Sequence, residues 1–199
     1  MPKMRLEAFS DGVLAVAITL LVLDLHLEPG SGESLLDQLA AAWPSFAAYI
    51  VSFLVIGVIW VNHHSIFRMV TSIDRVLQFW NLILLMVVTT IPFTTATLAG
   101  ALADGSAADI RVAAVLYGGA STGFAIAFTF LYARITLLAQ RSGAMDATGR
   151  RSALLRFGVG TVLYPLLTVV GVIYAPAMLV GFAVLSVYYL FNQTGSAEA

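Results

Sequence analysis

The sequence predicts an all-α membrane protein, a single domain over residues 1–199 with six transmembrane helices and both termini cytoplasmic. Three observations carry this reading. Hydrophobic residues make up 60% of the 199 positions. Charged residues make up only 11%, against about 25% in a soluble domain, whose surface must be covered by polar groups. The ten Lys and Arg residues fall almost entirely on one side of a six-span layout. The same composition excludes other classes. With no cysteine there is no disulfide scaffold, and the hydrophobicity excludes disorder. A formal net charge of −1 offers no basic field to nucleic acid.

At about 20 residues per span, the chain has room for six helices and short loops. The expected spans are 9–27, 44–67, 77–98, 110–131 (with a possible extension to Leu138), 154–174 and 176–191. The runs are long and continuous, unlike the short alternating strands of an outer-membrane barrel. Leu154 to Phe191, as one helix, would be about 57 Å long at 1.5 Å per residue. That is far longer than a hydrocarbon core of about 30 Å. A break is therefore expected at Tyr174-Ala175-Pro176, because proline disfavours helix before it and suits the first turn after it. Pro165 is expected to kink the fifth helix.

Lys3, Arg5, Arg68, Arg75, Arg134, Arg141, Arg150, Arg151 and Arg156 lie on one side of this layout, and Arg111 alone on the other. That asymmetry places both termini in the cytoplasm. The opposite side is acidic, with Asp24, Glu28, Glu33, Asp37, Asp104 and Asp109 on or near it. These acids either concentrate cations at a mouth or simply solubilise two loops. The basic amino terminus followed by an apolar run imitates a signal peptide. Glu7 and Asp11 lie where such a peptide lacks acids, and no small-x-small cleavage site follows Leu23, so a retained first helix is expected.

The first helix carries the sharpest signal. Asp11 lies inside it, where an ionisable group is costly and marks function by default. Glu7 is four positions earlier on the same face. The pair needs cationic or hydrogen-bonding partners, and Arg5, Arg68, His63 and His64 are the candidates. The cluster either ties the first two helices together or takes part in gating. Beyond it, Phe9, Val13, Val16, Leu20, Leu23 and Leu27 form an apolar stripe, overlapped by Gly12, Val16, Thr19 and Leu23. Periodicity alone leaves two readings open, a packing or lipid-facing stripe and a pore wall gated by dewetting.

Arg5, Phe9, Ser10 and Asp11, in the pattern Arg-x-x-x-Phe-Ser-Asp at the start of the first span, resemble the signature of the lysosomal and prokaryotic potassium channel family of transmembrane protein 175. With the Leu-rich helix that follows, the likeness extends to Leu23, and the six-span layout is similar to that of the prokaryotic branch. The resemblance implies a homotetramer in the plasma membrane, with the first helix of each subunit lining a central pore. It implies a potassium-permeable channel of modest K+ over Na+ selectivity that does no covalent chemistry. It needs no cofactor or structural metal, only permeant K+ and other monovalent cations. Carried over from the motif, the constriction positions fall on Val16, Leu20 and Leu23, and a threonine layer near K+ in transit falls on Thr19. Val16 departs from the family's usual Ile or Leu, and its smaller side chain leaves a wider ring. The motif and gating network would comprise Arg5, Phe9, Ser10, Asp11, His63 and His64. No Thr-Val-Gly-Tyr-Gly filter run is present. Thr19 either lines the path or bonds the carbonyl of Ala15.

Trp60-Val61-Asn62-His63-His64 ends the second span. Adjacent histidines point about 100° apart on a helix, so a shared metal is a poor reading and a polar link to the Phe-Ser-Asp motif is the better one. Gly119-x-x-x-Gly123 allows close helix approach, with packing inside the subunit expected. Trp43, Trp80, Tyr132 and Tyr174 are expected as interfacial anchors. Two rivals to a channel remain. A proton-coupled secondary transporter of a small solute would want ionisable groups or broken helices near the midplane. A membrane enzyme built on Asp11, His63 and His64 would need a substrate cleft.

Overall fold

The computed structural model describes residues 2–27, 32 and 34–192. The expected acidic residues Glu28 and Glu33 lie outside them. Among the described residues, regular structure is helical: α1 (Lys3–Leu20), a 3-10 turn (Leu21–Asp24), α2 (Leu35–Ala41), α3 (Trp43–Phe67), α4 (Arg75–Val88), α5 (Ile91–Asp104), α6 (Ala107–Arg141), α7 (Ala147–Phe157), α8 (Val159–Ile173) and α9 (Ala175–Asn192). Five stretches of these residues are long and apolar enough to cross a membrane: Lys3–Asp24, Trp43–Phe67, Arg75–Asp104, Ala107–Arg141 and Ala147–Ile173. Ala175–Phe191 is a shorter apolar helix.

The helix ends differ from expectation in ways local chemistry explains. The first helix begins at Lys3, not Phe9, and tightens to 3-10 geometry before ending at Asp24, so Leu27 is outside it. The third apolar run is two helices, broken at Thr89-Thr90, because Pro92 enters the first turn of α5. Both threonine hydroxyls donate to carbonyls three residues back, to Met86 at 2.8 Å and Val87 at 2.7 Å. Ser106 and Asp109 form a reciprocal capping box that starts α6 earlier than Ile110. The chain breaks again at Tyr174, whose backbone is extended ahead of Pro176. The interruption in the fifth run falls at Gly158, while Pro165 lies inside the continuous α8.

The long helix α6 is central. It packs against α4 and α5 on one side and α8 on the other, while α3 packs against α5 and α9. In lipid, such contacts rest on close packing and interhelical hydrogen bonds rather than on escape from water. Small residues set the approach. A Cβ on Gly118 would run into the Thr168 side chain, and one on Gly123 would meet Val87 at 3.2 Å. Gly119 faces open space in the subunit, so the close contact on α8 belongs to Gly118 rather than to the expected Gly119 pattern. Aromatic rings fill the α6–α8–α9 junction, with Phe124 against Tyr164 at 4.9 Å and Tyr164 against Phe182 at 4.9 Å. Tyr132 is buried against Phe157, and Trp80, half-buried, stacks on Phe130. Trp43 and Tyr174 are exposed.

Candidate functional site

Helix α1 lies against α3, α4 and α5. Its buried seam is Leu6, Ser10, Leu14 and Ala17, continued by Leu21 in the 3-10 turn. The spacing of four, four, three and four keeps these side chains on one face. Gly12, Val16, Thr19 and Leu23 fall on the far side and are exposed. Val16 is 57% exposed, Leu20 43% and Leu23 70%, so the three expected constriction positions lie on the open side of the helix within the subunit. Thr19 is also exposed. Its hydroxyl donates to the carbonyl of Val16 at 2.9 Å, not to that of Ala15. The proton is thereby committed to the backbone, and the remaining lone pairs of Oγ1 are available to a cation.

A buried polar chain fastens the seam. The Asn81 side chain on α4 donates from Nδ2 to Ser10 Oγ at 2.9 Å. Ser10 Oγ donates to the Leu6 carbonyl at 2.9 Å. His63 Nε2 on α3 is 2.8 Å from Asn81 Oδ1. Since the amide oxygen only accepts, His63 donates here and carries a proton on Nε2. Its ring also stacks on Phe67 with centroids 4.4 Å apart. Ser10, Asn81 and His63 are all buried, and each donor in the run has an acceptor, as buried polar groups require. One polar line thus joins α1, α4 and α3.

Beside it, Trp60 Nε1 on α3 donates to Asp11 Oδ1 at 3.0 Å. The partner of Asp11 is therefore an indole, and none of Arg5, Arg68, His63 and His64 fills that place. Glu7 pairs with Lys3 one turn earlier, at 3.7 Å. Arg5 and Phe9 are exposed, as is His64, which faces away from buried His63. Asn81 escaped the sequence reading because an asparagine inside an apolar helix carries no motif. Its depth in a run from Leu77 to Leu98 was the one available signal.

Two further polar joints hold the frame. Ser52 on α3 bonds Thr95 on α5 and Tyr117 on α6, both at 2.8 Å and all buried. At the end of the bundle that holds His63, Asp74 caps α4 by accepting from the Leu77 amide at 2.9 Å. Arg134 of α6 donates from Nε to the same carboxylate at 2.9 Å and binds it also through Nη2. The Arg134 guanidinium holds the Asp74 carboxyl below the usual carboxylate range. A cavity of about 30 Å³ lies between α3, α6, α8 and α9, lined in part by Asn62, Phe128 and Tyr164. It is remote from the exposed stripe of α1. Among the described residues no group of three or more His, Cys, Asp or Glu side chains is gathered for a metal ion.

Comparison with known proteins agrees with this architecture. A family model described as endosomal/lysosomal potassium channel TMEM175 matches residues 5–92, which span α1, α3, α4 and the start of α5. A potassium channel of Streptomyces collinus is 44% identical over 195 residues, covering 95% of this chain and 92% of that protein. A potassium channel of Chamaesiphon minutus is 42% identical over 168 residues, covering 80% of each. The crystal structure of a lysosomal potassium-selective channel TMEM175 homolog from Chamaesiphon minutus superposes with a TM-score of 0.81 at 35% identity, covering 97% of this chain and 98% of that one. By identity along nearly its whole length, the chain belongs to the TMEM175 family.

Proposed function

We propose that the protein is a potassium-permeable cation channel in which the first helices of four copies line a central pore. The observation that carries this reading is the exposed stripe of Val16, Leu20 and Leu23, directly behind a seam that locks α1 to its own subunit. A helix fixed on one face and bare on the other can line an axis without disturbing its fold. Its bare face also differs from the exposed faces of α8 and α9. On α8 the exposed Val162, Leu166 and Val169, and on α9 the exposed Val180, Val184 and Val187, are wholly aliphatic. On α1 the exposed face includes Gly12, Ala15 and Thr19. The potassium channels named among the relatives support the choice of ion.

The mechanism follows from the residue types. Apolar rings at Val16, Leu20 and Leu23 cannot coordinate a cation, so they act through width and the cost of shedding water. Potassium holds its hydration shell more loosely than sodium and passes a tight apolar ring more readily. The oxygens of four Thr19 side chains would supply the polar layer between the rings. Selectivity built in this way is modest. The remaining parts of the reading are six spans in one unit over residues 1–199, both termini cytoplasmic, and insertion in the plasma membrane. The one-sided arginines support them. Arg5, Phe9, Ser10, Asp11, His63 and His64 would set the position of α1 and so the width of the rings.

Purified protein in liposomes loaded with potassium tests the reading. Potassium efflux that exceeds sodium efflux, needs no counter-transported solute and does not saturate would support a pore. Flux that saturates and requires a coupled ion gradient would replace it with a transporter. Valinomycin gives the releasable pool in either case.

A further inference from the structure

The corner between α6 and α8 carries a cluster of positive charge that the ion path leaves unused. Arg141 closes α6, and Arg150, Arg151 and Arg156 follow on the short helix α7. Among the described residues none of the four makes a salt bridge, whereas Arg134, two turns earlier, is paired with Asp74. Arg150 is further distinguished. Its Nε is shut away from solvent and has no acceptor within reach. The residue as a whole is half-buried, so the open end of that guanidinium still meets the surface and can take an acceptor from outside the chain.

The surroundings say what kind. Leu155, 68% exposed, stands one turn beyond Arg151 and next to Arg156 on the outer face of α7. An aliphatic side chain held bare between arginines suits the boundary between acyl chains and headgroups. The adjoining α8 presents Val162, Leu166 and Val169 as an exposed aliphatic face. Arg151, Leu155 and Arg156, all exposed, thus set guanidinium donors beside an aliphatic side chain on the outer face of α7. Guanidinium groups match phosphate oxygens in geometry and charge.

We propose that the Arg141–Arg150–Arg151–Arg156 corner binds the phosphate of an anionic phospholipid, with the acyl chains lying along Leu155 and α8. Arg150 reaches the phosphate through the open end of its guanidinium, beyond its sheltered Nε. Arg151 and Arg156 hold the headgroup from the rim.

Native mass spectrometry of the whole protein tests this, with added phosphatidylglycerol or phosphatidylcholine. The expected result is retention of phosphatidylglycerol at least about tenfold above phosphatidylcholine. The triple variant Arg150→Gln, Arg151→Gln, Arg156→Gln should lose that preference, the triple Lys variant should keep most of it, and Arg111→Gln at the far end of α6 should leave it unchanged. Equal retention of the two lipids by the unmodified protein would overturn the proposal without recourse to any variant. So would a preference that survives the triple Gln change. Displacement of phosphatidylglycerol by millimolar inorganic phosphate would overturn it in favour of a free-phosphate site.

Discussion

Asn81 donates to Ser10 across 71 positions of sequence at 2.9 Å, and neither side chain has measurable contact with solvent. The bond makes α4 the element that sets how α1 lies. Replacing Asn81 with leucine keeps the branched shape and removes both ends of the link. His63 Nε2–H would then face no acceptor and Ser10 no donor. We expect Asn81→Leu to lower stability by about 1–3 kcal/mol, read as unfolding in detergent. Ser10→Ala added to it should cost much less than Ser10→Ala alone. Equal costs in the two backgrounds would show that the residues act separately.

Trp60→Phe probes the second attachment. Phenylalanine keeps most of the ring and deletes the indole donor to Asp11. Because Trp60 is 46% exposed, the bond should contribute about 1 kcal/mol, below the usual worth of a hydrogen bond to a charged group. If the pair positions α1, Trp60→Phe and Asp11→Asn should change resting potassium flux in the same direction. The double variant should go no further than the stronger single one. Additive effects on flux would mean that Asp11 acts through some other group.

Leu23→Ala tests the pore wall. Leu23 is 70% exposed and touches little of its own subunit, so truncation should leave folding nearly intact. A ring of four alanines would be wider, and the potassium-over-sodium permeability ratio should fall several-fold while conductance rises. Reversal potentials under bi-ionic conditions measure the ratio. An unchanged ratio with unchanged conductance would remove Leu23 from the path.

Much of this was legible in the sequence, and what was not shares a cause. The break at Tyr174 follows from Pro176 because proline acts locally, whereas Val16, Leu20 and Leu23 follow from the family resemblance, their spacing alone leaving packing and pore readings open. The partners Asn81 for Ser10 and Trp60 for Asp11 depend on which helices meet, and periodicity is silent on that. Arg5, Arg68, His63 and His64 are the candidates for Asp11 because a carboxylate inside a membrane helix calls for a cation or a hydrogen-bond donor. An indole N–H serves as well and carries no charge to count. Thr19 bonds Val16 rather than Ala15 because both carbonyls lie within reach of a threonine hydroxyl, and only the rotamer decides. The breaks at Thr89-Thr90 and Gly158 fell inside apolar runs whose composition scarcely changes across them.

The Asp74–Arg134 pair predicts a pH dependence with a definite sign. Arg134 depresses the folded-state pKa of Asp74, so folding favours the ionised carboxylate. Its contribution is complete above the unfolded pKa, about 3.9, and is lost as pH falls through the folded value. Asn caps helices nearly as well as Asp, so Asp74→Asn keeps the cap on α4 and removes the charge. The variant should be less stable than the natural protein at pH 6, and the gap should close below the ordinary carboxylate range. Unfolding in detergent from pH 6 down to pH 3 measures it. A gap independent of pH would show that the carboxylate contributes only as a hydrogen-bond acceptor.

Gly118→Ala tests whether the close crossing of α6 and α8 is required. The new methyl would fall on Thr168, and the collision includes Thr168 Cβ at 2.7 Å, so rotating the threonine cannot relieve it. The helices must separate, which costs about 1–3 kcal/mol by the measure of other overpacked sites. Alanine is otherwise the better helix former by about 1 kcal/mol, so a net loss would identify the collision as its cause. Thr168→Gly in the same chain removes the obstructing Cβ and should recover part of the loss despite its own helix penalty. Gly119→Ala, one position along, meets open space in the subunit and should leave the isolated subunit's packing untouched. A loss at Gly119 equal to that at Gly118 would mean that another copy of the chain covers that face of α6.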